Sequence, residues 1–142
     1  MKCQDVMKAS VHCAQQSDSV QSAAHTMRDR NVGFLPVCDG NSNVVGTLTD
    51  RDIAVRLATQ DRSPAQCRVG EIMTREVVAC RPSDDLARAE QLMATAKKSR
   101  ILVTDEGGTI RGVISLSDIA ERDSATRAAV TLRNVSAREA HS

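Results

Sequence analysis

Shifted by 66 positions, this chain matches itself without a gap: Met7, Ser17-Asp18, Met27, Val37, Asp39, Gly46 and Asp52-Ile53-Ala54 fall on Met73, Ser83-Asp84, Met93, Val103, Asp105, Gly112 and Asp118-Ile119-Ala120. A duplication sets architecture before any side chain is given a role, because whatever one copy folds into the other must fold into as well. Two copies, rather than a long array, predict two similar halves packed about a pseudo-two-fold axis. A chain of 142 residues can bury roughly two-thirds of the surface that its unfolded form exposes, so a sizeable core is available.

Within each copy the local signals come in the same order. A short apolar segment (Val11 to Cys13; Val77 to Cys80) precedes Ser17-Asp18 or Ser83-Asp84, a hydroxyl and an acid suited to the free amides of a helix start. Apolar residues then recur at helical spacing, at Val20, Ala23, Ala24 and Met27 and at Leu86, Ala89, Met93 and Ala96, which predicts one buried face per helix. Two short apolar runs follow, on either side of Asp39-Gly40-Asn41-Ser42 or Asp105-Glu106-Gly107-Gly108, and read as a β-hairpin. Pro36 in the first run has no amide hydrogen, so its nitrogen should face an edge, an irregularity or a ligand. A second helix is expected from near Arg51 and Ser117, burying Ile53, Ala54 and Leu57 or Ile119 and Ala120. Each copy therefore reads β-α-β-β-α, and the fold class is α/β (α+β). The boundaries are 3–59 for the first copy, 60–68 for a polar linker, 69–122 for the second copy and 123–142 for a tail, either helical through Ala128, Leu132 and Val135 or frayed.

Function begins with Gly46-Thr47-Leu48-Thr49-Asp50-Arg51-Asp52 and its echo Gly112-Val113-Ile114-Ser115-Leu116-Ser117-Asp118. At a strand-to-helix junction, a hydroxyl three residues before an acid has the spacing of a capping box. The same pair can grip a ribose and a phosphate, since a carboxylate accepts from both diol hydroxyls and free helix amides favour an anion. Each motif opens on a glycine, which lets a backbone or a ligand come close. The two roles are compatible, and the residues leave both open.

Motif, order and spacing together resemble the paired cystathionine β-synthase (CBS) domains, or Bateman module, over about residues 3–122. The resemblance rests on the glycine, apolar pair, Thr/Ser, two free positions and Asp in both copies, and on Leu35-Pro36-Val37 upstream of the first. It implies a homodimer-forming, non-catalytic module that binds an adenine nucleotide (AMP, ADP or ATP, less often S-adenosylmethionine or NAD) in clefts between its halves. By the resemblance, Asp52 and Asp118 would hold ribose hydroxyls, Thr49 and Ser115 would contact phosphate or ribose, and Leu35, Pro36, Ile101 and Leu102 would wall the adenine. The family often sets a base where Arg100 stands, to meet phosphate. The first copy has Phe34 there and carries Arg51 inside its motif instead, so the two clefts are equivalent only if Arg51 compensates.

Composition narrows the alternatives. The net charge of +1 supplies no field to recruit nucleic acid, and a single aromatic residue, Phe34, leaves almost nothing for bases to stack on. No apolar run is long enough to span a bilayer, and the first residues lack the apolar core of a signal peptide, so a cytoplasmic protein is expected. Five cysteines without CxxC or metal spacing suit thiols in a reducing compartment. Cys13 and Cys38 would come within disulfide reach if the segments that carry them lie side by side. His12, His25 and His141 show no ligand spacing, and no nucleophile-and-base arrangement is placed by the motifs, so neither metal nor catalysis is expected. The expected function is a stand-alone regulatory module acting on a partner that the residues do not name. The alternatives are a ligand-free dimerisation or interaction module and a redox- or metal-responsive stress protein using the cysteines.

Overall fold

The structure, a computed structural model, describes residues 1–122 and 125–139. The first copy contains α1 (Cys3–Val6), α2 (Val20–Arg30), β1 (Phe34–Cys38), β2 (Val44–Thr49) and α3 (Asp50–Asp52), which runs on into a π-helical turn over Ile53–Leu57. The second contains α4 (Val69–Ile72), β3 (Ala79–Cys80), α5 (Leu86–Ala96), β4 (Arg100–Thr104), β5 (Ile110–Ser115) and α6 (Leu116–Arg122), followed by α7 (Ala125–Glu139). The 66-residue offset survives in backbone detail. Asn31 and Lys97 end α2 and α5 in the left-handed conformation. The hairpin turns carry positive φ at Ser42 and Gly108, and one carboxylate oxygen of Asp39 or Asp105 accepts two turn amides at 2.9–3.0 Å.

Helices α2 and α5 both start later than Ser17 and Ser83 suggest. Ser19 caps α2 by accepting from the Ser22 N–H (3.0 Å), and Asp85 caps α5 by accepting from the Ala87 N–H (3.4 Å). Asp18 and Asp84 instead close the preceding turns, accepting from the N–H groups of Gln15 and Arg81 at 2.9 Å. A second correction concerns Ala54 and Ala120, which are exposed. Each lies one step of roughly 100° around its helix from Ile53 or Ile119, and it is Leu57 and Ile119 that enter the cores.

In each hairpin the strands pair antiparallel, Leu35 opposite Leu48 and Ile101 opposite Ile114. On the other side of β4, β3 runs parallel, with Ala79 opposite Leu102 and Cys80 opposite Val103. The matching segment beside β1 is reduced to one bridge, Ala14 to Val37. Pro36 explains the difference. Its counterpart Leu102 donates its N–H to Val78 O (3.0 Å), and a proline has no hydrogen to make that bond. Pro36 thus faces its nitrogen to the irregular end of the ladder.

The packing units are not the sequence repeats. His12–Val77 forms one continuous unit, whereas Met1–Val11 packs with the chain from Val78 onward into a split unit. Each leading segment has been handed to the other copy's helix and hairpin. In the split unit Lys2 bridges to Asp85 and Lys8 to Val113; in the continuous unit Arg68 bridges to Ser19 and Thr74 to Thr47. The equivalence extends to single bonds. The Cys3 N–H donates to Asp84 O and the Val69 N–H to Asp18 O, both at 2.9 Å. Met1 O and Cys67 O accept the first helical amides, those of Leu86 and Val20, so main-chain carbonyls supply the partners that helix starts otherwise lack.

The continuous unit's core gathers Val20, Met27, Leu35, Val37, Leu48, Val69 and Ile72. Cys67, at the end of the polar linker, is fully buried within it. The core of the split unit gathers Cys3, Leu86, Met93, Ile101, Val103, Ile114 and Ile119. Helix α7 lies on α5 and α6: Val135 is buried, and the Thr131 hydroxyl donates to Glu90 Oε2 at 3.3 Å.

Candidate functional site

The strand-to-helix junctions place the acid-and-hydroxyl pairs as reciprocal caps. In the continuous unit the Asp52 N–H donates to Thr49 Oγ1 and the Thr49 N–H to Asp52 Oδ2, both at 3.0 Å. In the split unit the Asp118 N–H donates to Ser115 Oγ (3.2 Å) and the Ser115 N–H to Asp118 Oδ2 (2.9 Å). Capping is therefore a real role of these residues. Thr49→Ala and Ser115→Ala are each expected to cost about 1 kcal/mol of stability, the usual cost of losing a hydroxyl cap, measurable as a lowered urea midpoint with an unchanged slope.

The other carboxylate oxygen of each pair faces elsewhere, and here the two sites part. Asp52 Oδ1 lies 3.4 Å from the Thr74 hydroxyl and 3.7 Å from Arg56 Nε. Asp118 Oδ1 lies 3.6 Å from Lys8 Nζ. Lys8 and Thr74 are the same position in the two repeats, each delivered by the exchanged leading segment. Arg56 is fixed by its own guanidinium, which donates to the carbonyls of Ile72 and Met73 at 3.2–3.3 Å. The carboxylate side chains are only 13% and 11% exposed. Each carboxylate can accept about four hydrogen bonds. Among the described residues, three partners surround Asp52 and two surround Asp118.

The basic residues fit the same two sites. Arg100 is the ladder partner of Ser115, and Phe34 stands at the equivalent place opposite Thr49. Arg51 and Arg100 are exposed, and neither side chain makes a hydrogen bond or ion pair with another described residue. Ser117, which replaces Arg51 in the second motif, shares a 2.9 Å hydrogen bond with the Ser115 hydroxyl.

The four residues expected to wall an adenine divide by strand alternation. Leu35 and Ile101 belong to the hydrophobic cores of their own units, so their side chains are committed to packing. Pro36 and Leu102 take the opposite strand face and are also buried. Sequence reasoning missed Lys8, Arg56 and Thr74. Their signal was positional, since Lys8 and Thr74 are equivalent under the offset, yet nothing local says that each reaches the other copy's aspartate.

Cys13 and Cys38 are brought together as free thiols, with the sulfurs 3.0 Å apart. Cys3 and Cys80, not paired by any sequence signal, lie 3.4 Å apart in the split unit. His12 and His25 are exposed, and His141 lies outside the described residues. No three His, Cys, Asp or Glu side chains gather as a metal site among the described residues, and no helix among them is long and apolar enough to cross a membrane.

Two copies of one β-hairpin unit, each presenting a Gly-x-x-Thr/Ser-x-x-Asp junction, define a tandem CBS-domain protein. The CBS domain family model matches residues 3–59 and again 69–125, and the chain belongs to that family. It is 34% identical over 138 residues to the CBS domain-containing protein YhcV of Bacillus subtilis, covering 96% of each chain. In fold it resembles the conserved CBS domain protein TA0289 of Thermoplasma acidophilum, with a TM-score of 0.82, 21% identity, and 94% of this chain and 75% of that one covered. It also resembles the CBS domain pair of protein MJ0100, solved in complex with 5′-methylthioadenosine and S-adenosyl-L-methionine. There the TM-score is 0.75 and the identity 25%, over 85% of this chain and 94% of that one.

Proposed function

We propose that this chain is a regulatory module, without catalysis of its own, that binds an adenosine-containing ligand. The nucleotides AMP, ADP and ATP fit best, and the module responds by a change of conformation or of affinity for a partner, including a second copy of itself. Asp52 and Asp118 accept ribose hydroxyls, while Thr49, Ser115, Arg51 and Arg100 serve phosphate and ribose. One observation carries this reading: both units hold a nearly buried carboxylate at the same junction, with an exposed arginine beside it that no described residue pairs. An unpaired guanidinium beside a ribose-binding acid is suited to an anionic phosphate. The adenosyl ligands of the MJ0100 pair support the same class. Such a response requires unequal ligand affinity for two states.

The two sites should differ in strength. Asp118 has acceptor capacity left for both hydroxyls of a ribose, and Arg100 and Lys8 stand on its side. Asp52 is already approached by three groups.

Calorimetric titration of AMP and ATP into the parent and into Asp52→Asn and Asp118→Asn tests the proposal. Asparagine keeps an acceptor for the capping amide but removes the charge. A hydrogen bond to a charged acid contributes about 1.5–3 kcal/mol, so each variant should bind roughly ten- to a hundredfold more weakly at its own site, with the larger loss at Asp118. Unchanged affinity in both variants would take these residues out of the site. A parent whose melting temperature does not rise in millimolar ATP would point to a ligand-free interaction module.

A further inference from the structure

We propose that Cys13 and Cys38 form a reversible oxidation site, at which a hydroperoxide converts two adjacent thiols into a disulfide inside the continuous unit. The proposal is independent of nucleotide binding and rests on geometry around the Ala14 bridge. The Ala14 N–H donates to Pro36 O (2.9 Å), and the Cys38 N–H donates to Ala14 O (2.8 Å). Both backbones are thus pinned across the ladder, and the two sulfurs stand 3.0 Å apart, with the Cys38 thiol donating to Cys13. A disulfide bond is about 2.05 Å long, so closure needs only a small rotation of two side chains.

The partners are chemically unequal. Cys13 is partly exposed, and Cys38 is buried. The hydrogen bond from Cys38 holds the Cys13 thiol down to about 7, against the opposing effect of its burial. Cys38 is pushed well above the ordinary thiol range by its bond to Cys13, by burial, and by the negative charges of Cys13 and of Asp39, which follows it in the chain. His12, next to Cys13, is exposed. As pH rises through about 7 the pair loses its first proton from Cys13, leaving an accessible thiolate in front and a protonated thiol behind it. That is the division of labour of an attacking and a resolving cysteine.

The chemistry balances with a hydroperoxide as the oxidant. The Cys13 thiolate attacks the terminal peroxide oxygen, the O–O bond breaks, and the released alkoxide or hydroxide takes up a proton, leaving Cys13 as a sulfenic acid. The Cys38 sulfur then attacks the Cys13 sulfur. The S–O bond breaks, and the hydroxyl departs with the Cys38 proton as water. Two thiols are oxidised by two electrons and one peroxide is reduced. Two equivalents of a thiol such as glutathione reverse the reaction by exchange.

The remaining cysteines serve as internal controls. Cys3 and Cys80 lie 3.4 Å apart, but both are buried, at 0% and 3% exposure, so peroxide reaches them only through local opening. Buried Cys67 has no sulfur partner; its thiol donates to the Arg68 carbonyl at 3.7 Å.

The test is peroxide treatment of the reduced 142-residue chain, followed by alkylation under denaturing conditions and peptide mapping. A product lighter by two hydrogens is expected, with Cys13 joined to Cys38, the other three cysteines alkylated, and full reversal by glutathione. In the native protein the alkylation rate of Cys13 should fall about tenfold from pH 8 to pH 6, where an ordinary thiol falls by about a hundredfold. Cys38→Ser should leave a Cys13 sulfenic acid that dimedone traps. Cys13 and Cys38 both remaining alkylatable after peroxide, or a bridge forming only between Cys3 and Cys80, would overturn the proposal. These mapping outcomes are read on the parent chain, so they stand even if a variant fails to fold.

Discussion

A chain lacking residues 1–10 is expected to lose the fold of the split unit while His12–Val77 keeps its own. The deleted segment buries Cys3 and Val6 in the core beside Leu86 and Ile114. It also supplies Met1 O to the Leu86 N–H, pairs Cys3 and Gln4 with Asp84 O and Pro82 O, and exchanges two hydrogen bonds between Lys8 and Val113. Two buried side chains at about 1.5–3 kcal/mol each, with a net contribution of about 1 kcal/mol from each of several hydrogen bonds, put the loss on the order of 5 kcal/mol or more. That is comparable with the whole stability of many domains, about 5–15 kcal/mol. Amide hydrogen exchange locates the damage: protection should vanish from α5, β4 and β5 and persist in α2, β1 and β2. Loss of protection in β1 and β2 instead would mean that the leading segment packs on its own copy, and the exchange would be wrong.

The second large effect is expected at the motif glycines. A Cβ at Gly46 would lie 2.7 Å from Thr74 O and 3.0 Å from Met73 Sδ; at Gly112 it would lie 2.7 Å from Met7 Sδ and 2.9 Å from Lys8 O. Neither position requires a left-handed backbone. What each requires is room, because the exchanged leading segment runs directly over the hairpin. Overpacking of this kind costs roughly 1–3 kcal/mol, occasionally more. Gly46→Ala belongs at the upper end, since its tightest contact, 2.7 Å, is to a backbone carbonyl, whereas at Gly112 the carbonyl stands at 2.9 Å and the tightest contact is to a methionine sulfur that can swing aside. A fall in melting temperature of about 10 °C is expected for Gly46→Ala, and a smaller one for Gly112→Ala. The origin of the cost is also testable. Met7→Ala should relieve part of the Gly112→Ala penalty through a coupling of about 1 kcal/mol or more, and strict additivity would show that the cost arises elsewhere.

These glycines show how far a sequence can be read. The motif was legible because both copies carry it, and the need for close approach follows from glycine itself. The identity of the approaching group did not follow. It is a main chain from the other copy, more than 25 residues away in one case and more than 100 in the other. The helix caps failed for a local reason: Ser17-Asp18 and Ser19 offer equally good oxygens within three residues, and only the turn closed by Asp18 decides that Ser19 takes the amides. Leu35-Pro36 and Ile101-Leu102 straddle the two faces of a strand, so one of each pair enters the core of its own unit, a division that strand alternation makes foreseeable. Cys13 and Cys38 came together because each flanks one end of a short parallel bridge, which strand order makes foreseeable. Cys3 and Cys80 belong to segments joined only by the exchange.

The duplication, the two hairpins, the junction that carries Thr49 and Asp52 or Ser115 and Asp118, and membership of the CBS family were all written in the sequence. These depend on contacts a few residues apart or on the repeat itself. Which leading segment covers which hairpin, and with it whether Lys8 or Thr74 faces a given aspartate, was decided by tertiary structure alone. The two segments are equivalent in pattern, so local preference cannot choose between them. The choice lies in long-range burial and hydrogen bonding that exist only once both copies have folded.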